Sequence, residues 1–545
     1  MNVVPGRVLK YIIITLILQS AQFLYAQSMF HGDSLHTGYY ATKELQQTPN
    51  IKWQFKTNGK VFSSPVLWNQ TIYIGSDDSC LYAIDAPSGN LRWKFGTCGA
   101  IKSTPAISNG VVFVGSYDGN FYALDAATGQ QRWTFATRGE HHFCTYGING
   151  HTPSTMLMDD YYDFLCSSPV IYKQDVYFGC GDSTFYALDA QRGTLDWSYK
   201  TGGVIHSSPA ASDGKIIFGS WDRYLYCLDA QTGKEIWKYA TGYDPNKTMT
   251  GITASPTIAH STVYIGTRDS YFYALDLSTG SKKWSVGNNG SWVQASAAIK
   301  DSIVYYGTSD NTVVQALNAY TGASRFSINT FTYEYSSPAI TENVIYFGNF
   351  SGYMRAYNRI TSQELWSFQT KASKQNSAAI LTGGQIDWAR LYAGIDPKPY
   401  SSIVSVMNKI LTLGSIVSSP LVDDGVVYFG SADSCVYALA ASAENGVNQS
   451  QGNNLPPGLP FEIYPNYPNP FNPTTHIYFS VWARSHVQID VTDVLGRQIA
   501  TVLDDWKPRG SYQIAFSGEN LTSGIYYLRM RVGRYTQTQK MVLEK

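Results

Sequence analysis

Six side chains could form a ligand site, because they differ from one another at positions where the sequence around them repeats. Four of them stand three residues before a recurring Pro or Ala, and two directly precede a recurring Asp. Polar and aromatic groups that converge at a concave place are typical of a ligand pocket. The alternative is that they only line the wetted rim of a channel. The six predicted ligand-binding residues are Lys102, His206, Trp221, Arg268, Gln294 and Tyr335.

A metal ion is the second chemistry that the residue types allow. An insertion at residues 138–164 contains His141, His142, His151 and Asp159, all of which are common metal donors. Their spacing matches no known metal motif, and two adjacent histidines cannot easily bind one ion. The insertion therefore gives weak metal candidates, and the alternative is a loop that caps the channel.

Catalytic motifs give no support for a particular reaction. The sequence has no GxSxG, HExxH or P-loop pattern. Paired carboxylates such as Asp77 and Asp78 occur, but adjacency in sequence does not fix the separation that glycosidase chemistry needs. The residues therefore favour a non-catalytic protein.

These residues are positioned by a repeat whose clearest copy is ALDAATGQQRW, ending at Trp133. Near-copies return about every 40 residues, each with alternating apolar residues, an Asp, and a Gly suited to positive φ. A Ser-Ser-Pro strand and a strand ending in Gly-Ser precede each copy. Four strands per period of this length predict an all-β fold, a closed β-propeller of four-stranded blades with a small C-terminal β-sandwich.

The two ends of the array are each incomplete. Residues 51–55 match only the last strand of a unit, whereas residues 418–440 supply three strands without the last one. Together they predict one complete blade that pairs the two ends of the chain and removes exposed sheet edges. The repeat count gives nine blades if residues 375–414 are an eroded blade, and eight blades if they are an insertion.

The repeat A-x-D-x-x-T-G-x-x-x-W resembles the tryptophan-docking motif of quinoprotein-like propellers, a family that includes pyrroloquinoline-quinone (PQQ) dehydrogenases and an outer-membrane assembly lipoprotein. This resemblance covers residues 50–440 and implies that each indole packs between neighbouring blades. It also suggests PQQ with calcium as a cofactor, but the vicinal cysteines of many such enzymes are missing, and we therefore predict no cofactor. The implied docking residues are Trp53, Trp93, Trp133, Trp197, Trp237, Trp284 and Trp366.

The chain ends predict export. Residues 1–26 read as a secretory signal peptide, because their apolar run is too short to cross a bilayer, and residues 27–49 form an N-terminal segment. Residues 441–460 are a polar linker rich in Asn, Gly and Pro. Residues 461–545 contain PNPFNP, DVLGR and LTSGIYYLR and resemble the sorting domain of the type IX secretion system. That resemblance implies the type IX machinery as a partner and a location outside the cell or on the outer-membrane surface.

Charge and cysteine content narrow the partners further. The 40 basic residues balance the 40 acidic ones, so no nucleic-acid partner is expected, and no later stretch predicts a transmembrane segment in the mature chain. Seven cysteines make disulfides feasible after export, with Cys80 and Cys98, and Cys166 and Cys180, as candidate pairs. We therefore expect a secreted module that binds a protein or glycan at its channel face. The alternative is an extracellular enzyme, either a divergent PQQ-dependent dehydrogenase or a polysaccharide lyase or hydrolase.

Overall fold

The computed structural model describes residues 28–242, 249–441, 461–463, 466, 469–481, 484–494, 496–508, 510–533 and 535–545. The chain divides into two compact units, residues 1–443 and 444–545. The predicted signal peptide, and the predicted linker apart from its first residue, lie outside the described residues.

The described part of residues 50–440 contains eight four-stranded antiparallel sheets, which we call blades 1 to 8 in chain order. The chain enters through β1 (Asn50–Lys56). Blade 1 comprises β2 (Val66–Trp68), β3 (Thr71–Gly75), β4 (Cys80–Asp85) and β5 (Leu91–Gly96), and blade 2 comprises β6 (Ala106–Ser108), β7 (Val111–Gly115), β8 (Asn120–Asp125) and β9 (Gln131–Ala136). A separate hairpin of β10 (Cys144–Tyr146) and β11 (Leu157–Asp159), with a 3-10 turn at Ile148–Gly150 between them, follows blade 2.

The next five blades repeat the same order of four consecutive strands. Blade 3 comprises β12 (Val170–Tyr172), β13 (Asp175–Gly179), β14 (Thr184–Asp189) and β15 (Leu195–Lys200); blade 4 comprises β16 (Ala210–Ser212), β17 (Lys215–Gly219), β18 (Tyr224–Asp229) and β19 (Glu235–Ala240); blade 5 comprises β20 (Thr257–Ala259), β21 (Thr262–Gly266), β22 (Tyr271–Asp276) and β23 (Lys282–Gly287); blade 6 comprises β24 (Ala298–Lys300), β25 (Ile303–Gly307), β26 (Val313–Asn318) and β27 (Ser324–Asn329); blade 7 comprises β28 (Ala339–Ile340), β29 (Val344–Gly348), β30 (Tyr353–Asn358) and β31 (Glu364–Gln369).

The hairpin between β8 and β9 shows why the repeat folds as it does. The Asp125 carboxylate accepts hydrogen bonds from the backbone N–H of Thr128, at 3.0 Å, and from its hydroxyl. Gly129 follows with a φ of 72°, in the left-handed region that glycine adopts at little cost. The Asp and the Gly of the repeat are therefore turn residues, as predicted.

Blade 8 joins the two ends of the propeller sequence. It comprises β34 (Leu421–Asp423), β35 (Val426–Ser431), β36 (Cys435–Ala440) and β1, which pairs antiparallel with β36. Trp53 lies opposite Ala438, and Gln54 lies opposite Tyr437. The predicted pairing of the first strand with the last three strands is therefore confirmed.

A series of hydrogen bonds at the inner strands links one blade to the next and returns to its first residue. At each step a backbone N–H donates to the hydroxyl of the equivalent Ser or Thr in the next blade, over 2.9 to 3.2 Å. The successive residues are Ser64, Thr104, Ser168, Ser208, Ser255, Ser296, Ser337, Ser419 and again Ser64.

The tryptophans of the repeat lie between neighbouring blades. Six indole N–H groups donate to a backbone carbonyl in the hairpin turn of the next blade, over 2.9 to 3.1 Å, and these belong to Trp53, Trp93, Trp133, Trp197, Trp237 and Trp284. Trp366 instead donates to the carbonyl of Leu45, because blade 8 takes its outer strand from the start of the chain and has no turn at that place.

Residues 375–414 form helices and a two-stranded hairpin instead of a four-stranded sheet. Residues 371–414 fold as α1 (Lys371–Ile380), a short hairpin of β32 (Leu381–Thr382) and β33 (Gln385–Ile386), α2 (Trp388–Leu391) and α3 (Tyr400–Leu411). The segment lacks the Asp-x-x-Thr-Gly turn, and α3 buries Ile403, Val406 and Ile410 at helical spacing. The alternative, an insertion between two blades, describes this segment.

The second unit is a small β-sandwich, as predicted. One sheet contains β37 (Phe461–Ile463), β38 (Thr474–Val481) and β41 (Gly510–Ser517); the other contains β40 (Gln498–Lys507), β39 (Ser485–Thr492), β42 (Gly524–Val532) and β43 (Tyr535–Leu543). Alternate residues of both sheets, among them Ile477, Ile489 and Leu528, form one buried core. Over the described parts of both units, we find no helix that is both long enough and apolar enough to span a membrane.

Candidate functional site at the propeller mouth

Two insertions come together over one end of the propeller, and we call them the cap: residues 138–164, which carry the β10–β11 hairpin, and residues 371–414, which carry the helices. The backbone N–H of Thr152 donates to the carbonyl of Lys398 over 2.8 Å, and the N–H of Tyr400 donates back to Thr152. The Tyr400 hydroxyl also donates to the carbonyl of Asp159 over 2.8 Å. The sequence alternative of a loop that caps the channel therefore describes residues 138–164.

His206, one of the six predicted ligand-binding residues, is held between two carboxylates of the cap. Its Nδ1 lies 2.8 Å from Asp163, and its Nε2 lies 2.9 Å from Glu140. Burial by itself would lower the pKa of His206, but the two carboxylates outweigh burial and raise the pKa to about 10. Burial would raise the pKa of Asp163, whereas His206 and His142 bring it well below its ordinary value. The imidazole is therefore a buried cation that fastens the cap to blade 4.

Arg268, Trp221 and Gln294 form a second cluster below the cap. The Arg268 guanidinium lies between the rings of Trp221 and Trp292, at 4.4 and 4.7 Å from their centroids. It donates to Asp160 of the cap over 2.7 Å and to the amide oxygen of Gln294 over 2.6 Å. Burial raises the pKa of the Asp160 carboxyl, and the guanidinium opposes this rise. Both partners of this ion pair are fully buried.

The remaining two predicted residues lie beside aromatic rings. Tyr335 is buried against Phe350 and Tyr162, and burial raises its pKa well above the usual value. The Lys102 ammonium lies 5.1 Å from the ring of Tyr117. The structure therefore brings the six predicted residues to one mouth of the propeller. Residues 138–164, which we call the insertion below, cover that mouth instead of leaving it open.

Sequence reasoning missed the residues that occupy the mouth. Glu140, Asp160 and Asp163 provide the carboxylates, and Trp292 provides the second ring on Arg268. The available signal was the acidic content of an insertion that interrupts the repeat next to positions rich in cations.

A cavity of about 20 Å³ lies among the inner Ser and Thr side chains, Phe30 and Lys102. A volume of about 10 to 15 Å³ holds one water molecule, so this cavity holds one or two waters. The three-ring PQQ is too large for this cavity.

Three of the four metal candidates, His142, His151 and Asp159, have different neighbours. His142 lies 3.5 Å from Asp163, whereas His151 faces the carbonyl of Lys398. Asp159 is exposed and pairs across the hairpin with Cys144. Over the described ranges no three His, Cys, Asp or Glu side chains are arranged to hold an ion.

All seven cysteines lie in described parts of the chain, and all are free thiols. The structure therefore forms neither the Cys80–Cys98 nor the Cys166–Cys180 bridge that the hairpin positions suggested.

The N-terminal segment crosses the inner strands of several blades. Carbonyls of this segment accept hydrogen bonds from inner-strand N–H groups over 2.7 to 2.8 Å, and the donors are Ile107, Ala211, Ile258, Ile299 and Ile340. Phe30 of the same segment lines the axial cavity. Residues 27–49, for which the sequence predicts only an N-terminal segment, therefore contribute to the packing of the propeller.

Comparison with solved structures identifies the fold. BamB from Moraxella catarrhalis is 16% identical, covers 72% of this chain and 100% of its own length, and superposes with a TM-score of 0.53. The quinohemoprotein alcohol dehydrogenase of Comamonas testosteroni is 15% identical and covers 81% of this chain and 85% of its own, with a TM-score of 0.58. A europium-containing methanol dehydrogenase is 13% identical and covers 77% of this chain and 100% of its own, with a TM-score of 0.54. These likenesses show a β-propeller fold.

Two sequence families match the chain. The family described as outer membrane protein assembly factor BamB matches residues 46–201, 148–328 and 200–393, and the secretion system C-terminal sorting domain matches residues 465–544. No curated protein matches. The sorting domain indicates secretion to the cell surface or the extracellular space and implies contact with the type IX machinery. Because the repeat matches extend over more than half of the sequence, the chain belongs to the BamB-like family of PQQ-type propeller repeats and carries a type IX sorting domain.

Proposed function

We propose that this chain is a secreted or cell-surface binding module that docks a protein on the outer face of the cap. The observation that carries this proposal is a group of exposed apolar side chains on the β10–β11 hairpin. Tyr146, Met156 and Leu157 expose 67%, 43% and 53% of their surface. Tyr146 and Leu157 are directly opposite each other across the hairpin, so their side chains share one face.

The residue types favour a protein partner over a glycan. Tyr and Met are enriched in the buried centres of protein interfaces, whereas a glycan site needs several polar groups to fix the hydroxyls of the sugar. The cavity in the axial channel has a volume of only about 20 Å³, so it offers no space for a glycan. A BamB-like assembly factor is by its description a protein-assembly component, which supports the same kind of role here.

The matched test compares two pairs of substitutions. Tyr146→Ser with Leu157→Ser removes the apolar hairpin face, and Leu91→Ser with Leu195→Ser removes two other exposed apolar residues from outer strands of blades 1 and 3. Neither pair should lower the melting temperature by more than a few degrees, because all four side chains are between 45% and 67% exposed.

The readout is chemical cross-linking on secreting cells, followed by mass spectrometry of the linked proteins. We expect one partner to be recovered with the wild type and with the outer-strand variant, and lost with the hairpin variant. Loss with both variants, or recovery with both, would contradict docking at the hairpin. A glycan array with the same three proteins tests the glycan alternative, and saturable binding there that the hairpin variant retains would also overturn the proposal.

The enzyme alternative has its own measurement. The purified protein is titrated with PQQ and Ca²⁺ while near-UV absorbance and dye-linked alcohol oxidation are followed. We expect neither to saturate, because the cavity cannot hold the quinone. Saturable PQQ binding with alcohol oxidation would contradict the proposed binding module and indicate a dehydrogenase.

A further inference from the structure

Three buried donor groups below the cap have no acceptor among the described residues. They are the Nε1 of Trp221, the Nε of Arg268 and the Nε2 of Gln294. Each of the three residues has a relative exposure of 5% or less. Buried N–H groups without acceptors are costly, and native structures contain few of them. Trp221 and Gln294 each contact the Arg268 guanidinium, and three such donors around one cation indicate a place built to receive oxygen atoms.

The one anion that reaches this place belongs to the chain itself. Asp160 contributes one carboxylate oxygen to Arg268 over 2.7 Å, while the donors at Trp221 and Gln294 receive none from it. Asp160 binds only Nη1 of the guanidinium, Nη2 donates to Gln294, and the Nε–H is left without an acceptor among the described residues. Asp160 therefore satisfies the donor set only in part.

The second cation of the mouth shows the same arrangement. His206 of the propeller is bound by Asp163 and Glu140 of the insertion, and both contacts are shorter than 3 Å. Within residues 138–164 the chain thus presents three carboxylates to a mouth whose blades present His206 and Arg268. The occupant that the structure shows at this mouth is an acidic peptide.

We propose that the propeller mouth is a carboxylate-binding site that the chain's own insertion occupies, and that an acidic peptide segment of another protein competes with the insertion for it. Trp221, Arg268 and Gln294 form the carboxylate receptor, and Asp160 is its internal occupant. This inference goes beyond docking on the outer face of the cap and does not depend on it.

Chemical rescue tests the receptor. Asp160→Ala removes a group the size of formate, and Asp160→Gly removes a group the size of acetate. We expect formate to raise the melting temperature of the Ala variant by several degrees with saturation, and acetate to do so for the Gly variant. Chloride at the same ionic strength provides the baseline. Wild type, Asp160→Asn and the neighbouring variant Asp159→Gly should follow that baseline, because they leave the receptor filled.

The size match makes the outcomes decisive. If neither variant responds above the chloride baseline, or if Asp159→Gly responds equally, the receptor does not exist. Should the Gly variant fail to fold, formate and the Ala variant give the same decision alone.

The competing peptide is tested with wild-type protein and a synthetic copy of residues 157–164, LMDDYYDF. The control is the same peptide with Asn at the positions of Asp160 and Asp163. We expect the acidic peptide, and not its Asn control, to increase amide hydrogen exchange several-fold in the insertion. If formate and acetate stabilise the Asp160 variants but the acidic peptide does not increase amide exchange in the insertion, the proposed competition is wrong and the insertion occupies the mouth permanently.

Discussion

Replacing Trp133 tests the physical basis of blade packing. Its indole N–H donates to the carbonyl of Ala190 in blade 3 over 3.1 Å. Its ring lies 5.8 and 6.1 Å, centroid to centroid, from the rings of Phe113 and Phe121. A Cβ added to Gly193 would lie 2.5 Å from the same indole, which shows how closely the next blade packs. The indole therefore contributes one hydrogen bond and one packed face to this blade interface.

The two contributions can be separated by a series of substitutions. Trp133→Phe removes the donor and part of the ring, and we expect it to cost about 1 kcal/mol, the net value of one hydrogen bond. Trp133→Ala also removes the packed face, and we expect about 3 kcal/mol. That value is at the lower end of the 3–5 kcal/mol typical of losing an aromatic core residue, because the indole is only partly buried. Blade 6 naturally carries Phe326 at this position, so the fold accommodates the smaller ring.

Equilibrium urea denaturation followed by circular dichroism measures these losses. Leu91→Ala serves as the control, because 45% of that side chain is exposed, and we expect it to cost less than about 1 kcal/mol. A Trp133→Ala loss below about 1 kcal/mol, or no difference between the Phe and Ala variants, would refute the packing role.

Three further predictions concern the blades and the cap. Gly193→Ala should lower the melting temperature more than Gly214→Ala, because both glycines have φ near 70° but only the first would place its Cβ against the indole of the preceding blade; equal losses would refute the clash. Glu334→Ile should stabilise the fold by about 1 to 3 kcal/mol at neutral pH, because this buried carboxyl has no hydrogen-bond partner among the described residues, where other blades carry Val, Leu or Ile. Burial raises the pKa of Glu334, so the contribution of this carboxyl to stability is present below about pH 4.5 and declines at higher pH. Melting curves should therefore show that the stability advantage of Glu334→Ile over the wild type grows from pH 4 to pH 8, and a constant difference would contradict this. Because the pKa of His206 is raised, its contribution to stability is complete below pH 6.5 and is lost as the pH rises towards about 10; because the pKa of Asp163 is lowered, its contribution is complete above pH 3.8 and is lost in acid. Amide exchange in residues 138–164, corrected for the intrinsic rate, should therefore be slowest between about pH 4 and pH 6.5. A flat profile would count against the ion pairs.

The propeller was predictable from the sequence because its determinants are local and repeated. A turn such as Asp125 to Gly129 fixes its own hairpin, and the indole that follows it is placed by the same short sequence. The incomplete units at the two ends could be recognised by the same rule. Residues 375–414 left two interpretations open, because their length fits the period near 40 whereas part of their apolar spacing is helical.

The state of the mouth was less predictable, because it depends on contacts between distant parts of the chain. The repeat places Arg268 and His206 at one end of the propeller, but nothing local in the insertion shows that it folds inward onto them. Asp160 is 108 residues from Arg268, and Asp163 is 43 residues from His206. Only the tertiary structure shows that these carboxylates fill the predicted pocket.

A double-mutant cycle between Asp163 and His206 measures whether residues 138–164 are fastened into the mouth by their buried carboxylates. Their side chains are 2.8 Å apart and fully buried. Removing one partner of a buried pair costs about 3–5 kcal/mol, and residues in contact couple by about 0.5–3 kcal/mol. We expect the double variant Asp163→Asn with His206→Gln to cost at least about 1 kcal/mol less than the sum of the losses of the two single variants. Additive losses, within about 0.5 kcal/mol, would contradict it.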